Sequence, residues 1–381
     1  MKIVIAPDSY KESLSAAEAA AAIQRGFARV FPDAEYVCVP MADGGEGTAA
    51  TLVAALAGEW AQVEVAAPLD GSVTAHYGLL PNGTAVMEMA EAAGLHLLAP
   101  DQRDVMRAST YGVGQMIFDA LARGVRHIIL GIGGSATNDG GAGMAQALGF
   151  GLQDDNNQPL ARGGAALAQL AKVKWTHVLP ALAECRFEVA CDVSNPLCGE
   201  QGASAVFAPQ KGANSAQVAQ LDKALNHYAD VLVAHGCEDY RNLPGSGAAG
   251  GLGFGLRTLF NAELKTGIDM VMAATGFADK IRGADLVLTG EGRMDGQTAF
   301  GKVPAGVLRA AQAQQVPVIG LAGCLGDGAE TLNDLGFTAI FSTLAAPAPQ
   351  AEILANGAQA LERTAAQVAA VWALGRAQGA I

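Results

Sequence analysis

The sequence predicts an α/β protein: two α/β domains with largely parallel sheets, one built from the N- and C-terminal segments of the chain and one inserted between them. Three observations lead there. Short, continuous apolar runs rich in β-branched residues recur along the chain, as strands buried on both faces do. Helical patterns with recognisable starts alternate with many of them. Glycine-dense loops follow several of the runs, at the sheet edge where open parallel sheets bind ligands.

In order, the runs are IVIA (3–6), YVCVP (36–40), VEVA (63–66), VMEMA (86–90), HIILG (127–131), FEVAC (187–191), DLVLTG (285–290), PVIGLAG (317–323) and AIFSTL (339–344). Ser15 to Glu18 forms a capping box ahead of Ile23, Phe27 and Val30 at i, i+4 and i+7, which predicts an amphipathic helix over 16–31. Residues 47–57 follow the same pattern. Residues 60–90 alternate more and carry hairpin signals at Leu69-Asp70-Gly71 and Pro81-Asn82-Gly83. Ser109 is placed to cap a helix whose stripe is Val113, Met116, Ile117 and Leu121, with Gly124 at C′. The polar stretch 153–164, QDDNNQPLARGG, predicts an exposed loop or hairpin excursion. The first strands and the last three share the continuous apolar look. This assigns 1–70 and 277–381 to one doubly wound domain and 71–276 to the inserted one, with a ligand cleft expected between them.

At 381 residues and 51% apolar content the chain is long enough for domains with real cores. No run approaches the roughly 18 apolar residues a membrane span needs, and the first apolar run breaks at Asp8, too early for a secretory signal. A cytoplasmic protein is expected. The six cysteines are scattered without a CxxC pair, so neither a zinc knuckle nor a disulfide framework is indicated. A net charge of −13, with no basic stripe, argues against nucleic acid as a partner. Any anionic ligand is left to a few cations beside the glycine loops.

The most informative loop is GIGGSATNDGGAG (131–143), with glycine at six of its thirteen positions. Backbone N–H groups free of a Cβ, with short polar donors beside them, cradle phosphate. Gly133, Gly134, Ser135, Thr137, Asn138, Gly140 and Gly141 are therefore candidate phosphate ligands at a helix N-terminus. Gly250 and Gly251 in GSGAAGGLGFG (245–255) join them. Gly131 to Ala136 also fits the GxGxxA dinucleotide fingerprint, but no acidic residue closes a second strand about 20 positions on. PDSYKESLSA (7–16) places Asp8, Ser9 and Lys11 at the carboxyl end of the first strand. MADGGEGT (41–48) ends the second run with Asp43 and Glu46, suited to metal ligation, base catalysis or hydrogen-bond acceptance; Asp43 equally suits a helix N-cap. Asp192 and Asn195 follow the run 187–191, and Asp192 suits a proton acceptor or a metal ligand. Arg107 suits a bidentate clamp on a substrate carboxylate. Glu291 and Asp295 after DLVLTG suit magnesium ligation in phosphoryl transfer. GQTAFGK (296–302) misses the Walker A pattern because Val303 stands where Ser or Thr would hold magnesium, which leaves Lys302 as a phosphate-facing cation. No GxSxG occurs and no histidine sits in a loop motif, against a serine hydrolase or a histidine acid–base enzyme.

With PDSYKESLSA, MADGGEGT, GIGGSATNDGGAGM, CDVSNPLCGEQGA, QKGA (210–213), GSGAAGGLGFG and TGEGRMDGQTAFGK in that order, the chain resembles the class I bacterial glycerate kinase family from end to end. The resemblance implies ATP-dependent phosphorylation of D-glycerate, at the 2-hydroxyl in bacterial members of this class, and that family's two-domain fold. It also implies a place in glyoxylate or sugar-acid catabolism. In that chemistry the glycine loops hold ATP and Glu291 or Asp295 holds Mg2+. Lys11, Arg107 and Lys302 grip the glycerate carboxylate and the moving phosphoryl group, and Asp192 or Asp43 orients or deprotonates the hydroxyl. Asp8, Ser9, Glu46 and Asn195 complete the expected substrate site. A monomer or homodimer is expected. The alternatives are attack by the 3-hydroxyl, an NAD-dependent oxidoreductase, and a nucleotide sensor without catalysis.

Overall fold

The computed structural model describes residues 1–299 and 301–377 and has thirteen strands among them. They are β1 (Lys2–Ile5), β2 (Glu35–Cys38), β3 (Glu59–Ala66), β4 (Ser72–Leu79), β5 (Thr84–Glu88), β6 (His127–Gly131), β7 (Gly151–Gln153), β8 (Lys172–Lys174), β9 (Arg186–Ala190), β10 (Glu263–Lys265), β11 (Leu286–Met294), β12 (Val318–Leu325) and β13 (Ala339–Ser342). Each of the nine apolar runs contributes to a strand. The chain separates into one unit of Met1–Asp43 with Ile268–Ile381 and a second of Gly44–Gly267.

The first unit carries an all-parallel sheet in the order β13-β12-β11-β1-β2. Ile3, Ile5, Leu286, Leu288, Ile319 and Leu321 are buried from it against Ile23 and Phe27 of the helix Ala16–Ala28. Leu361, Ala365, Val368 and Trp372 of the helix Gly357–Ala377 join the same cluster. The predicted capping box is present: Ser15 accepts from the Glu18 N–H, and the Glu18 carboxylate accepts from the Ser15 N–H. Because β1, β2 and β11 run in one direction, Asp8 and Asp43, beyond the ends of β1 and β2, and Glu291, within the longer β11, lie toward one edge.

The second unit has a six-stranded sheet in the order β10-β9-β6-β5-β4-β3. The first four strands are parallel, while β4 and β3 return antiparallel through the Leu69-Asp70-Gly71 and Pro81-Asn82-Gly83 turns, whose glycines take φ of +88° and +81°. The helix Tyr111–Ala122 buries Val113, Met116, Ile117 and Leu121 against the sheet as predicted, and Gly124 follows its end at φ +89°. The pair β7 and β8 flanks the expected polar excursion. Two boundaries differ from expectation. β3 pairs with β4, so residues 44–70 belong to the second unit, and most of the helix Gly267–Thr275 belongs to the first rather than to the inserted segment.

Candidate active site

In the second unit the loops after β6 and β9 meet at the carboxyl edge of the sheet around a cavity of about 400 Å³. Its wall includes Gly45, Gly133, Gly134, Ser135, Asp192 and Lys211. Gly133 and Gly134 are exposed, and their amides find no acceptor among the described residues. A Cβ on Gly133 would meet nothing closer than 3.8 Å. This is the open part of the predicted cradle. A smaller hollow of about 120 Å³ shares both glycines and is lined also by Glu46, Glu88, Glu91 and His96.

The rest of the glycine-rich stretch turns inward, which corrects the expectation of one continuous nest. Thr137, Asn138, Gly140 and Gly141 are buried, as are Gly250 and Gly251. Gly140 donates its N–H to the Gly250 carbonyl at 3.0 Å, and a Cβ on Gly250 would overlap the Thr137 carbonyl oxygen. Gly251 approaches Leu197 and the Gly140 Cα in the same way. Glycine at these positions lets two backbone segments touch. The amides of Gly141 and Gly143, at the start of the helix Ala142–Ala147, go to the buried carboxylate of Asp139 at 3.2 Å each. Asp139 also accepts from the Thr110 N–H at 2.8 Å and from the Thr110 and Ser109 hydroxyls. Burial pushes its pKa up, and these donors oppose that rise. A carboxylate of the protein thus fills the position where a phosphate was expected. Likewise Glu88 takes the Gly47 and Ala49 amides at the start of the helix Thr48–Ala55.

Of the remaining predicted residues here, Asp192 is exposed at the cavity wall and accepts from the Gly267 N–H at 3.1 Å. Asn195 braces its own loop by donating to the Gln201 carbonyl at 2.8 Å. Arg107 lies in an exposed ion pair with Asp70 at 3.1 Å and lines neither hollow. Sequence reasoning gave Lys211 and Asp139 no role. An aspartate followed by Gly-Gly at a helix start is a capping signal that points to Asp139; nothing in QKGA marks its lysine as buried. A larger hollow of about 770 Å³ lies at the opposite, amino-terminal edge of β9 and β10 among Phe150, Trp175, Phe187 and Phe260, and holds none of the predicted site residues.

In the first unit Asp8 donates its N–H to the Gly290 carbonyl at 2.8 Å, beside Glu291. Burial raises its carboxyl to about 7, helped by the negative charge of Asp43 and then Glu291; the Ser9 N–H at 2.7 Å and the Lys11 charge oppose this. Glu291 is also buried and pushed up by burial, but its oxygens are engaged by the Thr298 hydroxyl at 2.7 Å and the Lys302 ammonium at 3.3 Å. Asp295 pairs with Arg293 at 3.0 Å and accepts from the Gln297 N–H. Lys11 is exposed, and Lys302 stands at the N-cap position of the helix Val303–Gln312 without a side-chain cap. Among the described residues no three His, Cys, Asp or Glu groups are gathered to hold a metal by themselves.

The glycerate kinase family model matches residues 3–373 of this chain. The chain belongs to the glycerate kinase family. It is 49% identical over 374 residues to a glycerate kinase of Haemophilus influenzae, covering 98% of this chain and 99% of that one. It is 46% identical over 376 residues to the glycerate 2-kinase of Escherichia coli, covering 98% and 99%. A crystal structure of a protein described as glycerate kinase 2 from Salmonella typhimurium LT2 superposes with a TM-score of 0.91 at 47% identity, over 99% of both chains. A glycerate kinase transfers a phosphoryl group, and the oxidoreductase reading of Gly131 to Ala136 falls away. The helix that would complete a dinucleotide fingerprint also starts too late, at Ala142. Among the described residues no helix is long and apolar enough to cross a membrane.

Proposed function

We propose that the chain phosphorylates D-glycerate at its 2-hydroxyl with ATP, giving 2-phosphoglycerate and ADP. The observation that carries this reading is the cavity where the open amides of Gly133 and Gly134 face the same space as Asp192 and Lys211. Phosphoryl transfer needs positioned charge more than covalent chemistry, and this wall supplies amides, a hydroxyl, a cation and a carboxylate. Gly133, Gly134 and Ser135 hold the ATP phosphates. Asp192 orients the attacking hydroxyl and accepts its proton.

The second set of groups is on the first unit. Mg2+ takes one or two carboxylates and leaves its other positions to water and substrate phosphates. The acidic edge fits such an ion: Asp8 is raised by burial first and then by the negative charge of Asp43 and Glu291. One or two of Asp8, Asp43, Glu291 and Asp295 would hold it. A bound Mg2+ would supply positive charge to offset that of the transferred phosphoryl group. Lys11 and Lys302 remain the candidates for the glycerate carboxylate and the transferred group, in place of Arg107. The enzyme is proposed to work in the cytoplasm, as a monomer or homodimer.

Phosphorus NMR of the product formed from ATP, Mg2+ and D-glycerate tests the reaction. The expected product is 2-phosphoglycerate. A 3-phosphoglycerate signal overturns the regiochemistry, and ADP-free spectra overturn the kinase. Asp192→Asn should lower kcat about 10²-fold or more if Asp192 is the base; a change under about threefold removes it from that role.

A further inference from the structure

Lysine is almost never fully buried unless it is paired. Lys211 is 1% exposed, and among the described residues no carboxylate lies within ion-pair distance of it. Its ammonium donates to two neutral oxygens, the Ser135 hydroxyl and the Thr137 carbonyl, each at 2.7 Å. Those two residues follow the open Gly133–Gly134 turn. Lys211 therefore grips the back of the turn while forming part of the cavity wall in front of it. A lysine that served only to brace the loop would gain more from a carboxylate partner, since an unpaired buried ammonium is costly.

We propose that Lys211 is a positioning residue for the nucleotide: it fixes the Gly133–Ser135 turn and sets a buried positive charge behind the phosphates that the turn receives. This rests on the reading that the cavity holds the ATP phosphates. Burial lowers the Lys211 pKa to about 7, with the Asp139 charge opposing the fall. The other charged or titratable groups near it are Asp192 and Cys191 on the cavity wall and Arg103, which donates to the carbonyl of the adjacent Gln210. Burial thus biases the lysine toward its neutral form in the free enzyme. A polyphosphate brought beside it favours the ammonium, so nucleotide binding draws a proton from solution.

The test is calorimetry of Mg2+-ATP binding at pH 8 in buffers of differing ionisation enthalpy, where ATP itself is already ionised. Wild-type enzyme should take up a substantial fraction of a proton per nucleotide. Lys211→Met should lose that uptake and weaken ATP binding at least tenfold, with the KM for ATP raised more than kcat is lowered. Lys211→Gln, which can still donate to Ser135 and Thr137, should show the same losses. Absent uptake in the wild type overturns the proposal without any variant, and so does wild-type affinity in Lys211→Gln. Gly133→Leu separates the two readings. If it leaves ATP affinity unchanged, the cavity is not the phosphate site; if it weakens ATP while Lys211→Met does not, only the role of Lys211 falls.

Discussion

Glycine does two jobs in this chain, and single substitutions separate them. Gly250 has φ +67° and its Cβ would overlap a backbone carbonyl, so Gly250→Ala should cost at least about 3 kcal/mol. Gly133 faces open space, and Gly133→Leu should leave stability within roughly 0.5 kcal/mol while raising the ATP Kd tenfold or more. Urea denaturation and nucleotide titration of both variants check the pair; similar stability losses would contradict the division. The sequence cannot make this distinction, because a glycine that admits a ligand and one that admits a neighbouring backbone are the same letter. It did mark Asp8, and here the sign of the pH effect can be worked out. An Asp raised to about 7 from an unfolded value near about 3.9 holds its proton more tightly when folded. Wild-type stability therefore falls as pH rises from about 4 to 7 and then levels. Asp8→Asn removes that fall. With EDTA present it should be more stable than wild type by about 2 kcal/mol at pH 8 and indistinguishable near pH 3.5, measured by thermal melts across pH.

Among the elements, those with a start signal and a stripe were legible, and those held by distant partners were not. The helix Ala16–Ala28 has its capping box, and Ser15→Ala should cost about 1 kcal/mol. The helix Tyr111–Ala122 buries the predicted stripe but is not capped as expected: the Ser109 hydroxyl donates to Asp139 and accepts from the Tyr111 N–H, while the Thr110 N–H goes to Asp139. One buried carboxylate therefore ties the start of this helix to the start of Ala142–Ala147, a link across about 30 residues that no local pattern reveals. Asp139→Asn replaces an acceptor by an NH2 group facing donors. It should cost about 2–4 kcal/mol and weaken ATP binding as the Gly133–Ser135 turn loses its base; a denaturation midpoint equal to wild type would refute the link. The three-residue strands β7, β8 and β10 escaped prediction for a related reason, being too short to show alternation.

At the scale of the whole chain, the discontinuous first unit was legible because its central strands β1, β11 and β12, from both ends of the sequence, are largely buried and read as unbroken apolar runs. The boundaries were not, since they depend on which strand β3 pairs with, and only its pairing with β4 places it in the second unit. The observed division has a mechanical consequence. Gly44 and Gly267 open and close the inserted unit, and a Cβ on Gly44 would lie 2.6 Å from the Gly267 Cα, so the two ends are in backbone contact. A segment whose ends meet, with its own sheet and its own buried cluster, can be cut out without leaving a strand unpaired. Residues 44–267 expressed alone should unfold in one cooperative transition and bind ATP within about tenfold of the full chain, since 1.4 kcal/mol covers that factor. The fragment carries Gly133, Gly134, Ser135, Asp192 and Lys211 but lacks Asp8, Asp43, Glu291 and Lys302, so it should not turn over glycerate. Circular dichroism melts, ATP calorimetry and a coupled ADP assay on the fragment check each part. A disordered fragment would deny the second unit its independence, and turnover by a folded one would remove the first unit from the chemistry.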